Sequence, residues 1–266
     1  MVLWENMPYF IYLVGPAGSG KTTLAMSLGE WMSSNQLDVS IINMDPAAES
    51  LPYTPDIDIR RFVNARDVMY KFNLGPNGAL IASVDMSINH LDDIKDMAEE
   101  RKASYYIIDT PGQMEIFAFR PAGPLIVERL SEGSNSLVLF LVDMFMASRA
   151  SSLASLLFLF LSTWLRLRRP QILVLTKADL YPEDVISNVL SWIEDPYFLL
   201  ESARREGISG YEEEIITGLS ESILQNIDAI PVSAVTWRGM DNLYALIQRI
   251  LAGGEDYYTE EGSPKL

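Results

Sequence analysis

The octapeptide Gly15-Pro16-Ala17-Gly18-Ser19-Gly20-Lys21-Thr22 sits between an apolar run, Tyr9 to Val14, and a helix-forming stretch, Thr22 to Asn35. G-x-x-x-x-G-K-[ST] in that setting is a phosphate loop. Its glycines let the backbone wrap until successive N–H groups and a helix N-terminus converge on phosphate oxygens. Lys21 is placed to reach the β- and γ-phosphates and the Thr22 hydroxyl to ligate Mg²⁺, while Gly15, Gly18, Ser19, Gly20 and Thr23 line the same cradle. The chain is thereby committed to a strand–loop–helix unit with a nucleotide at the strand's carboxyl end.

Five further apolar runs follow: Val39 to Met44, Tyr105 to Ile108, Leu137 to Val142, Ile172 to Leu175 and Ala229 to Val232. Runs that are apolar throughout, rather than alternating, belong to strands buried on both faces, so the expected fold is α/β: a doubly wound, mainly parallel sheet covered by helices. Helices are expected at Gly78 to Arg101, Pro124 to Glu132, Ala150 to Leu165 and Asp241 to Leu251. The stretch 180–228 is too long for one crossover and reads as a helical insertion, with helices at Tyr181 to Glu194, Pro196 to Glu206 and Tyr211 to Asn226. At ~150 residues per domain, 266 residues fit one domain over 1–252, followed by an acidic tail, 253–266, expected to be disordered.

Composition narrows the chemistry. There is no cysteine and a single histidine, His90, which removes disulfides, iron–sulfur clusters, structural zinc and any mechanism needing a thiolate or two imidazoles. Twenty Lys and Arg against 36 Asp and Glu leave a net charge of −16, which repels nucleic acid and anionic membrane surfaces alike. The N-terminal residues lack a basic signal-peptide region, and the longest uncharged apolar stretch, Ala150 to Leu165, is 16 residues, short of the ~20 that span a bilayer. The expectation is a cytoplasmic protein with no membrane or direct nucleic-acid partner.

In open parallel sheets the residues just past each strand carry the chemistry. Asp45, in Asp45-Pro46-Ala47, can hold a metal-bound water or orient an attacking one, or be an ordinary turn residue before proline. In Asp109-Thr110-Pro111-Gly112-Gln113, Asp109 ends a buried strand as an Mg²⁺ carboxylate, the Gly112 N–H can sense a γ-phosphate and Gln113 can orient water. Thr176-Lys177-Ala178-Asp179 selects the base: a carboxylate accepts from both N1–H and the exocyclic amine of guanine, a pair that adenine lacks. Lys177 can cover the base plane, and Ser233-Ala234-Val235 can offer N–H groups to guanine O6. Gly75-Pro76-Asn77-Gly78 is a strong turn in which Asn77 can cap the next helix.

With these motifs in this order, the sequence resembles the P-loop GTPases of the SIMIBI class and, within them, the GPN-loop GTPases, over about Met7 to Leu251. The tripeptide that names the family is Gly75-Pro76-Asn77. The resemblance implies a homodimer binding GTP and GDP with Mg²⁺, in which each Gly-Pro-Asn loop reaches the partner's nucleotide and Asn77 contacts the γ-phosphate region. It also implies a protein partner, with a role in assembling a complex such as RNA polymerase. Thr176 departs from the asparagine that many GTPases carry there. Two alternatives stay open: an ATP-using enzyme, either a kinase or a dimeric ATPase, and a nucleotide-regulated scaffold with negligible turnover. Elsewhere, His90 reads as a surface residue, the helix from Ala150 as buried or as a groove for an apolar partner, and Arg166, Arg168 and Arg169 as caps for that helix's carbonyl end.

Overall fold

The computed structural model describes residues 7–220 and 227–252. Its centre is a seven-stranded sheet, every pairing parallel, built from β1 (Tyr9–Val14), β2 (Val39–Asn43), β3 (Ile57–Asp58), β4 (Tyr105–Asp109), β5 (Ser136–Asp143), β6 (Gln171–Thr176) and β7 (Ala229–Pro231). The spatial order is β3-β2-β4-β1-β5-β6-β7. From β1 the chain passes to β2 and the edge strand β3, returns to place β4 between β2 and β1, and then crosses β1 to add β5, β6 and β7 on its other side, so the switch point where such sheets bind ligands lies at the carboxyl end of β1.

The uninterrupted apolar runs are explained by burial on both faces. Along β1, Phe10, Tyr12 and Val14 enter one core and Ile11 and Leu13 the other. On the second face lie α1 (Lys21–Ser34), through Leu24, Leu28 and Met32, and α12 (Met240–Leu251), through Met240, Leu243 and Ile247. The first face is covered by α4 (Leu91–Arg101), α5 (Met114–Ala118), α6 (Ala122–Leu130), the single turn α7 (Met144–Ala147), α8 (Ala150–Leu167), α9 (Glu183–Glu194) and α10 (Pro196–Arg205).

Several elements differ from expectation. The stretch Gly78 to Arg101 is not one helix but α3 (Pro76–Ser87), a 3₁₀ turn at Ile88–His90 and then α4. Ser83 and Ser87 turn their hydroxyls back onto the Leu80 and Ser83 carbonyls, at 2.8 and 2.9 Å, a habit that bends helices, and Asp92 and Asp93 provide the acidic first turn of the new one. Strand β3 and helix α2 (Ala65–Phe72) were not anticipated: two residues of strand carry no periodicity, and α2 buries only Ala65 and Val68. His90 lies in the turn, half-buried, its ring 5.0 Å from that of Phe62 and its Nδ1 3.0 Å from Asp93.

Helix α8 runs past the 16 uncharged residues, through Arg166 to Leu167, and its 18 residues are long and apolar enough by length and composition alone to cross a membrane, against the expectation that the stretch is too short. In the fold it is a core helix: Leu153, Leu157 and Phe160 are buried in the first-face cluster, and among its apolar residues only Phe158, Trp164 and Leu165 are exposed. Glu206 caps its N-terminus, accepting from the Ala150 and Ser151 N–H groups at 2.8 and 2.9 Å. Arg166 does not cap its own helix; it donates to the Phe119 carbonyl just past α5, at 3.0 Å. The insertion consists of α9, α10 and α11 (Tyr211–Ser220). The expected extension to Asn226 and the acidic tail 253–266 lie outside the described residues.

Candidate functional site

The phosphate loop leaves β1 at the switch point. A Cβ on Gly15 would collide with the Leu141 carbonyl of β5, and Gly20, at φ 93°, starts α1 with no side-chain cap. The first N–H groups of α1 are therefore left for an anion. Buried Lys21 lies across the loop, its Nζ donating to the carbonyls of Gly15 (2.7 Å), Pro16 (3.1 Å) and Gly112 (3.0 Å). Burial pulls its pKa down to about 8, against the opposing pull of Asp109, Asp45 and Glu115. The Ser19 hydroxyl is buried without a hydrogen-bond partner.

Two carboxylates face this lysine. Asp45 accepts from the N–H groups of Ala47 (2.9 Å) and Gly112 (3.2 Å), and burial raises its pKa. Asp109, 1% exposed, accepts at Oδ2 from the Tyr53 hydroxyl at 2.9 Å, while its Oδ1 is buried with no partner. Burial pushes Asp109 up to about 6, with the Tyr53 and Thr22 hydroxyls acting the other way. Among the described residues no group of three or more His, Cys, Asp or Glu could hold a metal. The donor set instead suits Mg²⁺, which takes one or two protein oxygens and completes its shell with phosphate and water: Asp109, with its Oδ1 orphaned and Thr22 beside its carboxyl group, fits, whereas both Asp45 oxygens are engaged. Gly112 touches both sides, its carbonyl on Lys21 and its N–H on Asp45. Gln113, exposed, is the N-cap residue of α5.

On the other side of the loop, the Thr176 hydroxyl donates to the Ser19 carbonyl at 2.7 Å, so threonine braces the phosphate loop where asparagine was the common expectation. Lys177, at φ 60°, donates to the Gly18 carbonyl at 3.0 Å and pairs with Asp143. Asp179 is exposed in the following 3₁₀ turn, and the Ala178 N–H ties that turn to Val232 at 3.2 Å. Of the three N–H groups expected to meet guanine O6, that of Ser233 donates to the Arg238 carbonyl at 3.0 Å, and the Ser233 hydroxyl accepts from the Thr236 N–H at 3.1 Å; Ala234 is half-buried and Val235 exposed.

Gly75-Pro76-Asn77 stands apart. Gly75 is the N-cap of α3, Pro76 its first residue and Asn77 its second, so Asn77 is inside the helix rather than its cap. Helices α2 and α3 form a hairpin around a small core of Val63, Val68 and Ala79, separate from the two main cores, with all three loop residues exposed at its tip.

A protein-family model described as "Conserved hypothetical ATP binding protein" matches residues 13–253. GPN-loop GTPase 1 of Schizosaccharomyces pombe is 30% identical over 97% of this chain and 72% of its own length, and that of Dictyostelium discoideum 30% over 95% and 63%. A GPN-loop GTPase of Pyrococcus abyssi is 31% identical over 89% of this chain and 94% of its own. The crystal structure of a GTPase in apo form from that organism matches with a TM-score of 0.80 at 30% identity, covering 91% of this chain and 97% of that one. The chain belongs to the GPN-loop GTPase family.

Sequence reasoning missed part of what surrounds the phosphate site of this GPN-loop GTPase. Tyr53 lies in a loop with no motif of its own. Asn43, at the end of β2, donates to Asp58 at 2.9 Å and accepts from the Asp45 N–H at 3.0 Å. Arg60 grips Asp58 with both nitrogens of its fork and holds the Ala48 carbonyl at 2.9 Å. The Asn43–Asp58–Arg60 cluster fixes the base of the Asp45 loop. Its only trace in the sequence is a pair of charged residues flanking Ile59, which composition gives no reason to single out.

Proposed function

We propose that this GPN-loop GTPase binds Mg²⁺·GTP at the carboxyl end of β1 and hydrolyses it as a homodimeric switch. Gly112 is the observation that carries the switch: its N–H, the group suited to a γ-phosphate, is held by Asp45, and its carbonyl is held by Lys21. A triphosphate competes for both Lys21 and that N–H, so its arrival frees the 109–113 segment and its hydrolysis lets the segment return.

The α1 N-terminus and Lys21 hold the phosphates, and Thr176 and Lys177 keep the loop's outer carbonyls in place. Thr22 and Asp109 would hold Mg²⁺, which when bound neutralises phosphate charge as the bond to the leaving group breaks. Asp45 and Gln113 orient the attacking water. Asn77, exposed at the tip of its hairpin, is assigned to the partner subunit's nucleotide, where its amide donates toward developing phosphate charge. Asp179 reads guanine, a choice that matters because the matched family description says ATP. The output is a change in contact with a protein partner, for which the exposed Phe158, Trp164 and Leu165 of α8 offer an apolar surface. Assembly of a complex such as RNA polymerase is the role in keeping with the family resemblance.

Calorimetry with GTP and ATP, combined with phosphate release from GTP, tests this reading. Tight GTP binding, weak ATP binding and Mg²⁺-dependent turnover are expected. Equal affinities would defeat the base assignment, and binding without turnover would leave a regulated scaffold in its place.

A further inference from the structure

The loop from β2 to β3 crosses the end of β4 and is pinned on both sides of Tyr53. Before it, the Ala48 carbonyl is held by Arg60 at 2.9 Å. After it, the Asp56 N–H donates to the Ile41 carbonyl at 3.0 Å, and the Ile41 N–H donates to the Asp56 carboxylate at 2.9 Å. Pro52 and Pro55 flank the tyrosine and remove backbone freedom. The Tyr53 ring packs against the second-face core, so its hydroxyl is delivered to Asp109 Oδ2 by a braced segment rather than a floppy one.

A carboxylate at the end of a strand can turn about its Cβ–Cγ bond and exchange its two oxygens. Here Oδ2 has a partner and the buried Oδ1 has none. The phenol is the contact that decides which oxygen is left over. The phenol O–H donates and the carboxylate oxygen accepts, so at 2.9 Å the hydroxyl occupies Oδ2 as a donor.

We propose that Tyr53 is a positioning residue for the nucleotide's divalent cation: by occupying Asp109 Oδ2 it presents Oδ1 toward Thr22 and the metal's shell. The assignment rests on the Mg²⁺·GTP reading above. Partners that orient a metal-associated carboxylate typically change metal affinity by about 10–100-fold when removed.

The test is Tyr53→Phe, which keeps the ring and removes only the donor. Nucleotide affinity is measured by calorimetry in EDTA and across a Mg²⁺ titration, with a thermal melt to verify folding. The expected result is unchanged GTP affinity in EDTA and a Mg²⁺ half-saturation raised by about tenfold or more. A Mg²⁺ dependence identical to that of the wild type overturns the proposal. In an Asp109→Asn background the same substitution is expected to have no effect on Mg²⁺ dependence, because the carboxylate it positions is gone. An effect of equal size in both backgrounds shows that Tyr53 acts elsewhere and also overturns it. Wild-type protein indifferent to Mg²⁺ is a separate failure: it removes the reading on which this one stands.

Discussion

Asp109 and Lys21 are two opposite charges buried beside one another, and each is displaced toward neutrality by loss of water more than it is held by the other. For Asp109 the folded protein binds its proton more tightly than the unfolded chain does, so stability falls as pH rises from 3.8 to about 6. Above that range the nucleotide-free protein carries the whole penalty of the buried carboxylate, at most ~3 kcal/mol. Asp109→Asn should therefore raise the melting temperature of nucleotide-free protein at pH 8, with the gain shrinking as pH is lowered toward 4, while Mg²⁺-dependent GTP binding is lost. Melts at several pH values decide this; a destabilised variant at pH 8 would contradict it. At the base, Asp179→Asn should weaken GTP by ~1.5–3 kcal/mol and favour xanthosine triphosphate, whose 2-oxo group accepts rather than donates. A binding isotherm for GTP that matches wild type would overturn the assignment. Asp45 and Asp109 could be singled out because each follows an apolar run directly, and Asp179 because it closes the Thr176-Lys177-Ala178-Asp179 motif just past one. Tyr53 could not, because nothing near it in sequence signals where its hydroxyl ends up.

At the scale of elements, the switch segment is supported by the corner between α5 and α6. A Cβ at Gly123 would run into the Phe117 carbonyl, so the two helices approach as closely as they do only because residue 123 is glycine. Gly123→Ala should cost about 1–3 kcal/mol in urea unfolding and, by moving the helix capped by Gln113, slow phosphate release. An unchanged urea midpoint would mean the corner yields without cost. The N-terminus of α8 depends on Glu206: burial alone would raise its pKa, but the bonds from Ser151 and Ala150, with Arg149, together outweigh it and leave the folded pKa lowered. That contribution is present above 4.5 and lost as pH falls through the folded value. Glu206→Ala should cost about 1 kcal/mol at pH 7 and progressively less toward pH 3, as followed by thermal melts. The long helices and six of the seven strands follow from apolar periodicity. The break at Ile88–His90 does not, because Ser83, Ser87 and the following aspartates are unremarkable until their hydrogen bonds are drawn.

For the whole molecule, a net charge of −16 is compatible with a phosphate site because Lys21, oriented N–H groups and Mg²⁺ supply the positive potential locally. The assignment of Asn77 to the partner's nucleotide is a claim about assembly and is tested as one. Asn77→Ala and Lys21→Ala proteins, each inactive, are mixed and their phosphate release measured. Random reassortment places one intact composite site in half of the dimers, so activity should recover to about a quarter of the wild-type rate. No recovery from subunits shown to exchange would place Asn77 in its own subunit's chemistry or in none.

What could be read along the chain is what depends on near neighbours: glycine spacing, a lysine and a threonine at fixed offsets, apolar runs and the carboxylates that end them. Those features generate an anion cradle and a two-sided sheet from local backbone geometry, so family and fold follow from them. What required the folded chain is everything that joins distant residues: Lys21 to Gly112, 91 positions apart, and Tyr53 to Asp109, 56 apart. The same holds for the division of α8 into a buried stripe and an exposed one. A hydroxyl or carbonyl has no sequence signature for the partner it meets across a loop closure. Its role is set by where the sheet brings the strand ends together.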